Sequence, residues 1–547
     1  MRYHRREPSM HRGEWSLDTA LLLISVLGIG YTAILTALLC NLPPHAAVLT
    51  PIALVLWVIF GIAMHRWGIS FARTSYALAI LGVILSLFMS TSILDTSYDG
   101  QVYHILAISS IKEGWNPLYH SAFPLSIWIE HYAKAPWLLA AFFYAYWPSI
   151  EVGKATNVIC WLASFFAAFG ALARIFRNRS LFVLGLSGAV MAANPVVVAE
   201  LFTYYNDGLL GSLMLVYIAA LAHYAKTFER KSLILASVTL LLLLNIKFTA
   251  IVYAGLITFI FVVYLTFANR FKSVIVTLTL GLTFMAGVIG FGYNPYVTNT
   301  VHKGHPFYPL AGSGKIDIIS ANQPADFAGK GTLEKMVLSL TRKTGNPIQP
   351  LQSEPRDLFA LDLDEIKTEF RHMDQDTRIG GFGPFMFWIA LGSIALGFLL
   401  LAYDCRLALG AALAVAALSA TVFINPESWW ARYVPQFWLI PVVIALCGYV
   451  ARHKVPKWAA LLLLTLIGCN ALGSNYRLVH VQVKNSQQLK AQLDALPVRL
   501  QIHREGEGFA SVPLRLREQG IAFTYAQNEL SCKHPDQIKF SIVRYCD

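Results

Sequence analysis

Runs of about 17–25 apolar residues recur along the chain, and this is the length that an α-helix needs to cross the hydrocarbon core of a bilayer. Because lipid offers no partner for free backbone N–H and C=O groups, such runs are expected to be helical. Only 14% of the residues are charged and 56% are hydrophobic, whereas an average soluble domain carries about 25% charge. The chain is therefore predicted to be an all-α polytopic membrane protein.

The apolar pattern predicts about thirteen spanning helices. They lie near 17–40, 48–64, 75–94, 153–174, 181–198, 208–225, 232–246, 249–268, 273–292, 384–403, 407–424, 435–451 and 457–473. The segment Trp137–Trp147 is apolar but too short to cross, which favours an interfacial helix.

Basic residues indicate the orientation of these spans. With a cytoplasmic N-terminus, every short inward loop carries Lys or Arg, and Arg2, Arg5, Arg6 and Arg12 precede the first span. The net charge of +12 is thus explained by topology, and no nucleic-acid partner is expected. We predict a multi-pass protein of the bacterial inner membrane with a periplasmic C-terminal tail.

Three long polar elements then face outward, at 95–152, 293–383 and 474–547. We expect a membrane domain over 1–473 and a small soluble α/β domain over 474–547. The tail has a helix-like segment at 487–496 and strand-like segments at 499–503, 521–525 and 539–545. Outside the cytoplasm, Cys532 and Cys546 are candidates for a disulfide, and two unpaired thiols are an equally open reading.

The first outward loop contains Asp99, followed by Tyr103-His104 and an amphipathic stretch that ends at Gly114-Trp-Asn-Pro117. A carboxylate at the outer membrane boundary can act as general base on an acceptor hydroxyl. From spacing alone, Asp99 also fits a solvated helix N-cap.

This loop resembles the first outward loop of class C (GT-C) membrane glycosyltransferases, a group that includes the protein O-mannosyltransferases and the lipid A aminoarabinose transferase. The resemblance implies a GT-C-like fold with interfacial helices and Asp99 as catalytic base. Lys134-Ala-Pro136 is similar to a Lys/Pro motif of that loop, which implies that Lys134 contacts substrate. Tyr103 and His104 are expected to contact substrate as well. Relatives carry this loop after their first span, so an additional N-terminal hairpin is implied here.

Two further positions carry charge at predicted span ends. Asp207, in Tyr204-Tyr-Asn-Asp-Gly208, resembles an acidic residue of the second outward loop, and a helix N-cap is its alternative. Lys247 lies at the tight turn between two spans, where an ionisable group is expensive unless it is paired or functional. Lys247 is predicted to hold a donor phosphate, or to extend to the membrane surface.

Two later segments resemble bacterial surface-polysaccharide members of the class. In Trp429-Trp-Ala-Arg-Tyr433, the planar guanidinium of Arg432 suits a phosphodiester. The alternative is an interfacial aromatic belt with an arginine whose side chain extends to the membrane surface. His305 follows His302 by three residues and is predicted to contact substrate; the pair alone does not define a metal site. The glycines of 376–384 are interpreted as a hinge, since no phosphate-loop context surrounds them.

Together these features predict an inverting glycosyltransferase that moves a hexose or pentose from a polyprenyl-phosphate carrier to a glycan or lipid-glycan acceptor at the periplasmic face. The partners expected are the lipid-linked sugar, that acceptor and membrane lipid. No cofactor follows from the sequence, and a divalent metal remains an option. The alternatives are a polymerase of polyprenyl-diphosphate-linked repeat units and a flippase or transporter of lipid-linked glycans.

Overall fold

A computed structural model describes residues 13–120, 126–359, 362–503, 509–526, 530–532 and 534–546. Over these residues the chain is mostly helical, and ten of the described helices are long and apolar enough to cross a membrane. The prediction of an all-α polytopic membrane protein is confirmed. The arginines at positions 2, 5, 6 and 12, which support the predicted orientation, lie outside the described residues.

The helices follow one another through short connections and three longer loops. The first eleven are α1 (Glu14–Leu39), α2 (Ala46–Arg66), α3 (Arg73–Ser92), α4 (Ile105–Lys112), α5 (Ile127–His131), α6 (Ala135–Tyr144), α7 (Ala155–Ile175), α8 (Leu181–Ala192), α9 (Pro195–Ala199), α10 (Asp207–Thr227) and α11 (Arg230–Leu244). The others are α12 (Phe248–Ala268), α13 (Arg270–Met285), α14 (Thr298–Lys303), α15 (Thr332–Thr341), α16 (Leu363–His372), α17 (Met386–Tyr403), α18 (Cys405–Phe423), α19 (Leu439–Val450), α20 (Lys454–Asp494) and α21 (Ser511–Glu518).

Each predicted span contains a helix, but three of these helices are short. α8 and α19 have 12 residues each and α11 has 15, whereas a membrane span needs about 20. The chain breaks after α8 at Asn194-Pro195, where the asparagine side chain caps α9. The segment predicted to lie at the interface forms the ten-residue helix α6, which packs against α1 and α4.

The helical bundle is organised around α1, α7 and α10. Helix α7 packs against both α1 and α10, and all three bury most of their side chains, whereas few side chains of α2 and α13 are buried, as expected of helices that face lipid. The ends of α3, α10, α12 and α18 bring the first outward loop, the 200–207 loop, Lys247 and Arg432 to the same end of the bundle.

The C-terminal region begins with the 41-residue helix α20, which runs without interruption through residue 473. The domain boundary expected there therefore lies inside a helix, and it stays a prediction. Beyond α20, helix α21 packs with β1 (Arg499–His503), β2 (Ala522–Tyr525), β3 (Asp536–Gln537) and β4 (Arg544–Cys546); these five elements are called the C-terminal unit below. The strand order is β2-β1-β4-β3, with β1 and β2 parallel and the other pairs antiparallel. Cys532 and Cys546 are bonded in it, with their Cα atoms 5.9 Å apart.

Candidate active site

Arg432 lies at the centre of a cluster of charged side chains. It belongs to the single helical turn Ala431–Tyr433 between α18 and α19, and only 14% of its side chain is exposed. Its Nε donates to Asp207 (2.9 Å) and its Nη1 donates to Asp376 (2.7 Å). Its Nη2 is 3.7 Å from a carboxylate oxygen of Asp99. A single guanidinium therefore joins three carboxylates that are far apart in the sequence.

Asp99 directly precedes the helical turn Gly100–His104, and its side chain makes no capping hydrogen bond there. A Cβ added to Gly100 would lie 2.0 Å from Oδ2 of the buried Asp95, so the position after Asp99 accommodates only glycine. Burial raises the pKa of the Asp99 carboxyl, and the positive charge of Arg432 opposes that rise. A carboxylate that is 30% exposed and has a raised pKa suits proton transfer near neutral pH.

Lys247 supplies a second cation to the cluster. It immediately precedes α12, and its ammonium forms an ion pair with Asp207. Asp207 is the first residue of α10, but its two oxygens accept from Lys247 and Arg432 instead of capping the helix. Asp207 therefore holds both cations beside Asp99.

Aromatic rings surround the guanidinium of Arg432. Its carbon lies 4.2 Å from the ring centroid of Tyr205, 5.5 Å from that of Trp430 and 5.9 Å from that of Tyr433. Lys247 lies 4.6 Å from the centroid of the same Tyr433 ring. Rings in this arrangement stabilise the cations and restrict the access of water to them.

Asp376 joins the cluster although the sequence analysis interpreted its segment as a hinge. One of its oxygens accepts from Arg432, and the other lies 3.1 Å from Nη2 of Arg378. Asp376 belongs to the segment that leads into α17, so this segment contributes a carboxylate to the cluster in addition to its glycines. The available sequence signal was an acidic and a basic residue two positions apart, in Asp376-Thr-Arg378.

Glu200 was not singled out from the sequence either. Its side chain is 1% exposed; Oε2 accepts from the backbone N–H of Gly208 (2.6 Å), and Oε1 has no hydrogen-bond partner among the described residues. That Oε1 lies 4.0 Å from Nε of Arg432. Burial, together with the charge of Asp207, raises the pKa of Glu200 to about 8. Its only sequence signal is a lone acid directly after Pro195–Ala199.

Tyr103 and His104 form an uncharged layer beside the cluster. Nδ1 of His104 accepts a hydrogen bond from Nε1 of Trp137 at 2.6 Å, and burial lowers the pKa of His104 to about 3. The ring centroid of Tyr103 lies 4.3 Å from that of His104 and 6.4 Å from that of Tyr132. His104 is thus a neutral side chain that fixes the first loop against α6.

Lys134 lies directly before α6 and is buried. Its ammonium donates to the carbonyls of Glu130 (2.9 Å) and Tyr132 (2.5 Å), and burial lowers its pKa to about 7. Among the described residues it forms no ion pair with the carboxylates around Arg432. The structure therefore does not bring Lys134 into the cluster, and its predicted contact with substrate stays a prediction.

The two histidines of the second long loop lie outside the cluster. Nδ1 of His305 accepts from the backbone N–H of Phe307 at 3.1 Å, and His302 is exposed. Within the ranges that the structure describes, no group of three His, Cys, Asp or Glu side chains is arranged to hold a metal ion. The substrate contact predicted for His305 stays a prediction.

An open cavity of about 420 Å³ lies beside the cluster. Tyr205 and Asp376, which both contact Arg432, form part of its wall. Its other walls come from the first outward loop, from α20 and from the C-terminal unit. The remaining lining residues are Thr96, Tyr98, Asp374, Gln375, Arg477, Val481, Asn485 and Phe540.

The fold and the site define a polytopic helical membrane protein with a buried acid–base cluster at one end of its spans. No protein-family model and no curated protein matches the chain. Among solved structures, it is similar to ArnT from Cupriavidus metallidurans, determined with bound undecaprenyl phosphate. The match covers 84% of this chain and 87% of that chain, with 12% sequence identity and a TM-score of 0.46. A likeness of this degree identifies neither a family nor a function.

Proposed function

We propose that the chain is a membrane glycosyltransferase that moves a sugar from a polyprenyl-phosphate carrier to a glycan or lipid-glycan acceptor at the periplasmic face. The observation that carries the proposal is the position of Asp99, 3.7 Å from Arg432 at one end of the helical bundle. A base and a phosphate-binding cation within one cluster are the two groups that such a transfer needs.

In the proposed reaction, Asp99 takes the proton of the acceptor hydroxyl while that oxygen attacks the anomeric carbon of the donor sugar. The new bond joins the acceptor oxygen to the anomeric carbon, and the bond from that carbon to the phosphate oxygen breaks. The proton ends on Asp99, and the electron pair leaves with the carrier phosphate. Direct displacement of this kind inverts the anomeric centre.

Arg432 and Lys247 are proposed to stabilise the leaving phosphate, whose negative charge grows in the transition state. The planar fork of Arg432 suits two phosphate oxygens, and Lys247 adds a compact charge on the other side of Asp207. Lys134 is retained as a substrate-contacting cation. This role requires its ammonium to exchange a backbone carbonyl for a substrate oxygen.

The cavity beside Tyr205 and Asp376 is the proposed route for the acceptor. It opens next to the carboxylate cluster, and it combines the aromatic side chains of Tyr98 and Phe540 with polar groups. Aromatic faces with a few polar groups are the usual lining of a pocket for an organic ligand. An acceptor that enters here can present a hydroxyl to Asp99.

The proposed orientation puts the Arg432 cluster and the C-terminal unit on the periplasmic side. Basic residues at the opposite helix ends support it, among them Arg66, Arg73, Arg177 and Arg270. A carrier-linked donor also supplies an activated sugar where nucleotide sugars are absent.

The test is transfer by the purified protein from defined polyprenyl-phosphate sugars to acceptor glycans, read by mass spectrometry. Asp99→Asn keeps the size of the side chain and removes the base, so transfer should be lost while membrane insertion is retained. Asp364→Asn is the matched control, because Asp364 is an exposed carboxylate in an outward loop. Full transfer by the Asp99→Asn protein would eliminate Asp99 as the base.

The same assay separates the two alternatives. A polymerase would use a diphosphate-linked oligosaccharide and ignore the monophosphate-linked monosaccharide. A flippase would move the lipid-linked glycan across a vesicle membrane and leave its glycosidic bonds unchanged. The location of Asp99, Asp207, Lys247 and Arg432 at one end of the bundle favours chemistry there over a path through the membrane.

A further inference from the structure

A second open cavity, of about 710 Å³, lies at the other end of the bundle. It is bordered by the end of α7, the turn that follows it, the last turn of α10 and the end of α19. The lining residues are Ile175, Phe176, Arg177, Asn178, Arg179, Lys226 and Val450.

This cavity is separate from the Arg432 cluster. Helix α10 begins with Asp207, which belongs to that cluster, and carries Lys226 in its last turn. At 1.5 Å per residue, the two positions are about 28 Å apart, close to the thickness of the hydrocarbon core. The cavity and the cluster therefore face opposite surfaces of the membrane.

Its three cations have no acidic partner in the part of the chain that the structure describes. Among the described residues, no carboxylate lies within ion-pair distance of Arg177, Arg179 or Lys226. An acid is close by in the sequence, but Glu229 pairs with Arg174 (3.6 Å) and Lys231 (3.8 Å) instead. The cavity thus keeps an uncompensated positive charge.

Tyr449 lies beside Arg179, one of these three cations. The guanidinium carbon of Arg179 lies 5.8 Å from the centroid of its ring, and the ammonium of Lys457 lies 5.6 Å from the same centroid. Arg179 also donates a hydrogen bond to the carbonyl of Val450. Its guanidinium is therefore oriented at the edge of the cavity, with other N–H groups left for a ligand.

We propose that this cavity binds the phosphodiester headgroup of an anionic phospholipid in the leaflet opposite the Arg432 cluster. Arg177, Arg179 and Lys226 supply the charge for the phosphate oxygens, and Ile175, Phe176 and Val450 supply an apolar side for the glycerol and the first methylenes. Basic pockets between spanning helices are sites where such headgroups bind. The amphipathic lining favours a lipid over a soluble anion.

The experiment compares two triple variants of the full-length protein in nanodiscs, with phosphatidylglycerol titrated into phosphatidylcholine and bound lipid counted by native mass spectrometry. The test variant is Arg177→Gln, Arg179→Gln, Lys226→Gln. The control is Arg66→Gln, Arg73→Gln, Arg270→Gln, which removes equal charge from exposed residues at the same end of the bundle. At about 1 kcal/mol per cation, the loss of three cations should weaken binding of the tightest phosphatidylglycerol about a hundredfold in the test variant, and the control should match wild type.

An equal loss of phosphatidylglycerol affinity in both triple variants would overturn the proposal, because it would show a general effect of surface charge. Equal affinity of the wild type for inorganic phosphate alone would overturn the assignment to a lipid. The single variant Lys226→Gln provides a second test if the triple variant does not insert, and unchanged lipid affinity in it would also contradict the proposal. None of these results depends on whether the chain transfers a sugar.

Discussion

Arg515 of the C-terminal unit donates two hydrogen bonds to Glu151 of the membrane domain, from Nε at 3.0 Å and from Nη2 at 2.5 Å, and both side chains are buried. Nη2 also donates to the backbone carbonyl of Asp95 at 2.7 Å. Glu151 in turn accepts from the backbone N–H of Asp95 at 3.0 Å. This pair fixes the backbone four residues before Asp99, so the C-terminal unit is part of the scaffold of the site.

Arg515→Ala should therefore destabilise the whole protein. Removal of Arg515 leaves the buried Glu151 paired with Lys154 and leaves the carbonyl of Asp95 without this donor, so the cost should be at most about 3–5 kcal/mol, the cost of a fully broken buried ion pair. Thermal unfolding in detergent checks this. Arg517→Ala is the control, since Arg517 lies on the same helix α21 and its side chain is 60% exposed, 3.9 Å from an exposed Glu113. Equal melting temperatures for the two variants would show that the pair is not structurally important.

Arg432→Lys should lower the rate of sugar transfer about 10²–10³-fold, the usual effect of removing one donor that stabilises transition-state charge. Lysine keeps the positive charge but cannot reach Asp207 and Asp376 with separate nitrogens, as Arg432 does. Steady-state kinetics with a polyprenyl-phosphate sugar measures the effect. Arg342→Lys, a partly exposed arginine of the long outward loop, should retain activity. A rate for Arg432→Lys near that of wild type would mean that Arg432 acts through its positive charge alone and that the planar shape of the guanidinium is not needed.

The sequence predicted the helical framework and several residues of the cluster. Apolar run length located all ten described helices that are long enough to cross, because burial in lipid requires helices of about 20 residues; the other three predicted spans contain the shorter helices α8, α11 and α19. Lys247 was found because an ionisable group at a tight turn between two spans is expensive unless it is paired or functional. Asp99 and Arg432 were found from the chemistry of a carboxylate and a guanidinium at the membrane boundary and from the family resemblance, and Asp207 from the resemblance. The structure brings these four together, and their chemical roles stay predictions.

What the sequence did not predict depends on distant partners. Glu200 follows an apolar segment and belongs to no local sequence pattern. Its place in the cluster follows only from the fold, which brings its Oε1 to 4.0 Å from Nε of Arg432. Asp376 is one acid among several in a long polar loop, and its partner lies 56 residues later. The contact between Arg515 and Glu151 spans 364 residues, so no local spacing could indicate it. Helix capping and apolar periodicity act over a few residues only, so they cannot indicate such contacts.

Cys532→Ser should lower the stability of the C-terminal unit. The two bonded cysteines are 14 residues apart in the sequence, and a crosslink that closes a loop of this length contributes about 3 kcal/mol by restricting the unfolded chain. Thermal unfolding with and without reductant, together with peptide mapping under non-reducing conditions, checks the expectation. Cys469→Ser should change nothing, because that cysteine is free and exposed. Full maleimide labelling of both Cys532 and Cys546 in unreduced protein isolated from the cell envelope would rule out the bond.

Glu200 should make both stability and activity depend on pH. Its pKa is raised to about 8, so the folded state holds the proton more tightly than the unfolded state, where the carboxyl titrates near 4.5. The stability that this proton provides is complete below about pH 4.5 and is lost as the pH rises through about 8. We expect the melting temperature of the wild type to fall more steeply between pH 6 and 9 than that of Glu200→Gln, whose amide cannot ionise.

The same ionisation should reduce transfer at alkaline pH. In the proposed reaction, a negative charge on Glu200, 4.0 Å from Nε of Arg432, would compete with the donor phosphate for the guanidinium, so the activity of the wild type should decline above about pH 8. Glu200→Gln should hold its activity to higher pH, whereas Glu113→Gln, at an exposed carboxylate, should follow the wild-type profile. Superimposable pH profiles for wild type and Glu200→Gln would mean that a group other than Glu200 controls the alkaline limb.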